Sequence, residues 1–294
     1  MRLPQRDRLA LLGVLLLLAG RVLPQTVRLS GTALDIDLYG NIYVLDAEKN
    51  TLTLYDKSGL LRHDVGGPGW LDGQFDRPAA VWARNGIDVF VADYGNHRIE
   101  RFDRSLNFVS SFSTRGSDNP DDRFGYPSGV ALSRLGELFI CDTENGRIVK
   151  VDRFSTVERT FGGMGGGRGH LASPASVAVG PKDAVYVLDK ERVAVFDAFG
   201  NYLRDLMPGL LRRPSALFAD NSVVAVLDSA EIFLFDAEER PAGVVPRNTL
   251  PEAGGDVRSL AFSAGVLTIL TGEGVLRVPD PRRPSDLDNN PISH

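Results

Sequence analysis

The chain has 294 residues, 43% of them apolar, with 31 Gly and 17 Pro. That supports a sizeable core and suits many short strands joined by tight turns. A formal net charge of −5 disfavours phosphate-coating nucleic-acid binding, and a single cysteine, Cys141, excludes an intrachain disulfide framework.

At the N-terminus, Arg2, Arg6 and Arg8 precede an apolar run at 9–20, and Arg21 and Pro24 follow. This is a basic leader and an apolar stretch of export-signal length, shorter than the ~20 residues that span a bilayer. Residues 1–24 are therefore expected to be a signal peptide or an N-terminal membrane tether, and the protein to be exported, periplasmic or secreted. No cysteine follows the run, which excludes a lipoprotein anchor. The segment holds four Arg and one Asp, so without it the charge falls from −5 to −8.

Next comes a strand–turn–strand unit that recurs. Residues 42–56 read "IYVLDAEKNTLTLYD", 89–103 "VFVADYGNHRIERFD", 138–152 "LFICDTENGRIVKVD" and 185–197 "VYVLDKERVAVFD". The first run of each unit closes on Asp46, Asp93, Asp142, Asp189 and Asp228, with a degenerate sixth ending at Thr271. The period is roughly 40 to 50 residues, and such periods mark repeat architectures. Each unit is preceded by another apolar strand, usually opened by proline (Pro78, Pro127, Pro174, Pro214), and followed by a fourth, as in "NFVSSF" and "TVERTF". Four strands of period-two alternation form a small sheet that cannot bury both faces alone. Six such sheets around an axis solve this. The predicted fold is all-β, a six-bladed β-propeller of four-stranded antiparallel blades over residues 25–280.

The repeated acids read as turn devices, since an Asp side chain can bond backbone N–H groups two residues on. Asp93–Arg98 and Asp142–Arg147 pairs would lock the turns. The last unit ends after three strands and runs into a proline-rich, charged segment, 281–294, expected to be a disordered tail. Residues 26–31, "TVRLSG", match the missing pattern, and are predicted to complete blade six and close the ring.

Residues 73–103, "GQFDRPAAVWARNGIDVFVADYGNHRIERFD", resemble an NHL repeat, with the Gly-x-Phe-x-x-Pro opening and the Asn-His-Arg-Ile turn. Residues 123–152 are similar, and together the units resemble exported bacterial-type NHL-repeat proteins. The resemblance implies a six-bladed ring that serves as a binding platform for proteins or other ligands. Arg192 without the Asn, and Glu231 and Val275 in place of Arg, depart from the signature.

Related propellers include metal-dependent lactonases and amidating lyases, so a lactonase- or lyase-like enzyme is the alternative. The inner strands start with Ala79, Ser128, Ala175 and Ser215, which are not a ring of metal ligands. Among the four histidines, His97 occupies the signature turn and His170 follows a glycine run; they share a rim without an evident third ligand. Asp35 and Asp37 are the only paired inner-strand carboxylates, and Asp37 falls in a turn-cap slot, as does Asp220. "GGMGGGRGH" at 162–170 lacks the Gly-Lys-Ser/Thr ending of a phosphate loop. No catalytic residue, metal site or cofactor is assigned.

The chemistry that varies between units lies in the inter-blade loops. These place Trp70, Arg77, Arg123, Tyr126, Arg168 and His170 on one rim, joined by Tyr94 and His97 from the blade-two turn. Aromatic and Arg side chains bury area while keeping a directional polar handle. The eight are the expected partner-binding residues of a non-catalytic binding or scaffold module. Phe75 and Phe124, by contrast, are expected to plug between blades. Arginines on an acidic chain point to a protein or anionic polymer as ligand.

Overall fold

The computed structural model describes residues 29–153, 155–165, 167–229, 231–250 and 257–282. Strands follow one another in the chain as neighbours in space. Blade one comprises β1 (Ala33–Ile36), β2 (Ile42–Asp46), β3 (Thr51–Tyr55) and β4 (Leu61–Gly66). Blade two has β5 (Ala80–Trp82), β6 (Asp88–Asp93), β7 (Arg98–Asp103) and β8 (Phe108–Phe112). Blade three holds β9 (Pro127–Leu132), β10 (Leu138–Asp142), β11 (Arg147–Val151) and β12 (Val157–Phe161). Blade four runs β13 (Pro174–Val179), β14 (Val185–Asp189), β15 (Arg192–Phe196), β16 (Tyr202–Asp205). Blade five is β17 (Ala216–Ala219), β18 (Val224–Leu227), β19 (Glu231–Phe235) and β20 (Pro241–Pro246). In blade six, β21 (Val257–Ser263), β22 (Val266–Thr271) and β23 (Val275–Pro279) are described. Every pairing is antiparallel between consecutive strands, giving the predicted all-β six-bladed propeller.

The alternation in sequence sets where the core lies. Strands β2, β10 and β14 are buried along their whole length, whereas β4 and β8 at the outer edge are largely exposed. Apolar side chains pool between blades, as in the cluster of Tyr43, Leu52, Phe75, Val91 and Phe102 joining blades one and two. Phe75 is fully buried in this cluster and Phe124 in the one that joins blades two, three and four, the plugs their repeat positions imply. Proline begins β9 and β13, pairing with the closing Asp (Pro127 with Asp142, Pro174 with Asp189) beside a register shift; a residue with no N–H is tolerated at a strand's start. Inner strands approach closely: a Cβ on Gly129 would stand 3.1 Å from Cys141 Sγ and from the Ser176 and Val177 backbone.

Each innermost strand packs on the next, and β21 packs on β1, so the ring is closed at the seam. There Leu34 N donates to Ser259 Oγ (3.2 Å), Arg258 Nη1 to Gly31 O (3.0 Å) and Arg277 Nη1 to Lys57 O (2.8 Å). Of the predicted closing strand 26–31, residues 26–28 lie outside the described residues. Leu29, Ser30 and Gly31 are described and are not in a strand. Leu29 is nonetheless buried among Leu34, Val44, Leu260 and Ile269 at this seam.

Candidate binding surface

The upper rim carries the inter-blade loops and the turns between second and third strands. Its order comes from the repeated Asp and Arg. Asp93 Oδ1 accepts from Asp76 N (2.8 Å), while Oδ2 accepts from Asn96 Nδ2 (2.7 Å) and Arg98 Nε (2.9 Å). Arg98 then donates onward to the carbonyls of Trp70, Leu71 and Gln74 (2.9, 3.0 and 2.7 Å). Blade three repeats this: Asp142 takes Gly125 N, Asn145 Nδ2 and Arg147 Nε, and Arg147 Nη2 reaches Arg123 O. The pair thus locks its own turn, as the spacing suggested, and also clamps the preceding loop. In blade five, where Glu231 replaces the Arg, Asp228 still accepts from Arg212 N and Arg213 N.

On this clamped frame four of the predicted side chains meet between blades two and three. The Tyr94 and Tyr126 rings are 5.1 Å apart, the His97 and Tyr126 rings 4.2 Å, and the Arg77 guanidinium sits 5.6 Å from the centre of the Tyr94 ring. Arg77, His97 and Tyr126 all adopt left-handed backbone (φ 51°, 53°, 49°). Bulky residues seldom do so, and such strain persists only where surroundings enforce it. Here Asn50 Oδ1 accepts Arg77 N (2.6 Å) and His97 Nδ1 accepts Tyr126 N (3.1 Å). The latter bond assigns the ring proton of neutral His97 to Nε2. Partial burial and then the Arg115 charge, whose Nη2 lies 2.9 Å from Nδ1, hold the His97 pKa down. The result is a neutral aromatic patch edged by Arg77 and by the Arg115–Glu144 pair (3.0 Å).

The other four predicted residues lie apart from it. Trp70 projects from the loop entering blade two, 78% exposed. Arg123 is exposed and donates to Ser117 O (2.8 Å). Arg168 and His170 stand one blade further round, beside a shallow depression of about 780 Å³ lined by residues including His170, Asp189, Lys190, Arg192 and Arg213. His170 Nδ1 is 3.2 Å from Gly163 O, whereas His97 Nδ1 faces Tyr126 N and Arg115 Nη2. Among the described residues no three His, Cys, Asp or Glu side chains group as a metal-ligating set.

Sequence reasoning missed the axis. Asp37 caps its turn as expected, accepting from Tyr39 N and Asn41 N (2.9 Å each). Asp35 instead points into the ring, where it takes Ala83 N (3.0 Å) and Arg84 Nε (3.1 Å). Burial pushes the Asp35 pKa up, and the Arg84 charge opposes it. Arg84 spans from blade two to the opposite blade five, donating to Ala219 O with its guanidinium 4.1 Å from the centre of the Phe218 ring. Around it opens a lower mouth of about 540 Å³, lined from all six blades. The one available signal was Arg84 itself, standing in "VWARNG" where other units put the turn cap.

Residues 124–151 match the NHL repeat family. The chain is 31% identical over 139 residues to Protein brain tumor of Drosophila melanogaster, covering 46% of this chain and 13% of that protein. It is 27% identical over 140 residues to NHL repeat-containing protein 2 of Homo sapiens (40% and 19% covered), and 31% identical over 140 residues to B-box type zinc finger protein ncl-1 of Caenorhabditis elegans (46% and 16%). The match therefore spans less than a fifth of each of these relatives. Among solved structures, a streptogramin B lyase superposes with a TM-score of 0.60 at 11% identity, covering 86% of this chain and 95% of the other. Virginiamycin B lyase from Staphylococcus aureus gives 0.58 at 12% identity, covering 87% and 88%. At such identities the likeness is one of fold.

Proposed function

We propose that this chain, an NHL-repeat six-bladed β-propeller, works as a non-catalytic binding or scaffold module outside the cytoplasm and captures a protein or anionic polymer on its upper rim. One observation carries the reading: Arg77, Tyr94, His97 and Tyr126 are assembled from two blades into one patch, on strained backbone that the clamps hold in place. A rigid scaffold presenting aromatic and Arg side chains offers contact area at small entropic cost on binding. The lyase likeness stops at the fold. Export rests on the basic and apolar N-terminal sequence.

The test replaces Tyr126 and Trp70 by Ala and measures capture of partners from envelope material, with thermal melting as the control for folding. Loss of one reproducible partner without a change in melting supports the module. Undiminished capture removes the upper rim from consideration. Stoichiometric zinc or calcium in purified protein, together with lactone hydrolysis, would move the assignment to an enzyme.

A further inference from the structure

The aromatic patch on the upper rim is joined across blades two and three at one ring nitrogen. His97 Nδ1 meets two groups at once, the Tyr126 N–H (3.1 Å) and Arg115 Nη2 (2.9 Å). A backbone N–H and a guanidinium only donate, so both need the lone pair on Nδ1, which neutral imidazole with its proton on Nε2 supplies. Imidazolium carries a proton on each nitrogen and accepts nothing. Turning the ring over puts a C–H where Nδ1 stood, so neither ring orientation restores an acceptor. A protonated His97 would set a third donor against these two, one of which carries a full positive charge.

The charges around the ring give an imidazolium no counterion of its own. Those facing His97 are Arg115 and Arg77, which oppose its protonation, and Glu144 and Asp76, which favour it. Both acids are already engaged, Glu144 with Arg115 (3.0 Å) and Asp76 with Arg77 (3.2 Å). The neighbouring contacts also set which part is free to move. The His97 backbone is anchored, its N–H donating to Tyr94 O (3.3 Å) and its carbonyl accepting from Ser113 Oγ (2.9 Å). Gly125 is pinned within blade three, its N–H donating to Asp142 Oδ1 (3.0 Å). Tyr126 lies between these anchors, tied to blade two by its N–H bond to Nδ1 and by its ring contacts with His97 and Tyr94. It precedes Pro127, a place that favours extended backbone, yet its φ is 49°. Without the bond to Nδ1, that strain favours its departure.

We infer that His97 is a proton switch for this patch: while neutral it holds the Tyr94, His97 and Tyr126 rings together, and on protonation it loses the Tyr126 N–H bond and releases Tyr126 from blade two. The closed patch holds the His97 pKa below its ordinary 6.5, so an open patch takes up the proton more readily. Closure is at full strength above pH 6.5 and weakens as pH falls below that value. The loss is about tenfold per pH unit until the closed patch itself titrates. Its consequence for capture rests on the upper rim being the binding face; the switch itself does not, and is tested with no partner present.

The experiment follows amide and ring resonances of the full chain by NMR from about pH 8 down to about pH 4.5. The Tyr126 amide should move together with the His97 ring, at a midpoint below pH 6.5. The ring contacts of Tyr126 with His97 and Tyr94 should vanish in acid while the Gly125 amide, held by Asp142, stays in place. His97→Asn keeps an acceptor, suits left-handed backbone and cannot titrate, so its Tyr126 amide should stay fixed over the same range. Arg115→Gln removes the opposing charge and should move the midpoint upward. A Tyr126 amide that stays put while His97 titrates, an equal Tyr126 response in His97→Asn, or a midpoint at or above pH 6.5 would overturn the inference.

Discussion

Asp35 and Arg84 form an ion pair of 3.1 Å across the boundary of blades one and two, and Arg84 continues to Ala219 O on the far side of the ring. Three blades are thereby tied at the axis by one guanidinium. Asp35 is almost fully buried and Arg84 about one-quarter exposed. Removing one partner of such a pair strands a buried charge, which costs about 3 kcal/mol, less some relief through solvent at Arg84. Arg84→Met should lower stability in urea titration by about 2–3 kcal/mol. The double variant Asp35→Asn with Arg84→Met should recover most of it, and a purely additive cycle would show that the pair is not coupled.

Glu100 offers a second buried charge with the opposite consequence. It lies fully buried on β7, with Oε1 accepting Gly73 N (3.3 Å) and 2.8 Å from Arg98 Nη2, while Oε2 has no hydrogen-bond partner. The groups facing it are Arg98, Asp93 and Asp72. Burial pushes its pKa from 4.5 to about 7, against the pull of Arg98. An acid whose pKa is higher folded than unfolded binds its proton more tightly when folded, so it favours folding below pH 4.5 and loses that contribution as pH rises towards 7. Glu100→Gln, which cannot ionise, should therefore gain about 1–3 kcal/mol over the parent at pH 8. That gain should fade at pH 5, and melting curves at the two pH values check the difference.

What the linear chain revealed followed from local rules. Period-two runs ending in Asp gave the blades, and the spacing of Asp93 and Arg98 gave the turn lock. The burial of Phe75 and Phe124 followed from their place in the repeat. Arg84 was opaque because its partners, Asp35 and Ala219, lie 49 and 135 positions away and meet it only when the ring closes. Glu100 looked like any polar residue of an alternating strand, and only the loop folded over Gly73 makes it buried. The loops were legible as one rim, but which of their side chains touch depends on how each loop folds, so the sequence did not separate Arg168 and His170 from the Tyr94–Tyr126 patch one blade away.

The two kinds of turn acid should differ in worth. Asp142 is fully buried and serves Gly125 N, Asn145 and Arg147 together. Asp103 caps a solvent-facing turn through Ser105 N and Asn107 N. Asp142→Ala should cost about 3 kcal/mol, since it leaves buried donors unpaired, against about 1 kcal/mol for Asp103→Ala. Hydrogen exchange distinguishes the two as well: only Asp142→Ala should deprotect the loop amides before β9, Gly125 first.

The seam between blades six and one is where ring closure should be most sensitive. Among the described residues β23 has no fourth strand beside it, and an exposed edge there would invite fraying or pairing with another chain. Leu29 is buried against both blades, Ser30 Oγ accepts from Lys49 Nζ (3.2 Å) and Gly31 O from Arg258 Nη1 (3.0 Å). We propose that the stretch 25–31 staples the two ends, as its sequence pattern suggests. Deleting residues 25–31 should then lower the melting temperature by about 5–10 °C, the equivalent of a few kcal/mol in a domain of this size. Leu29→Asp should reproduce about half of that fall by placing a charge in the seam. Deleting residues 2–24 alone should leave melting unchanged; an equal fall in that protein, or none when 25–31 are removed, would show that the ring closes by the packing of β21 on β1 alone.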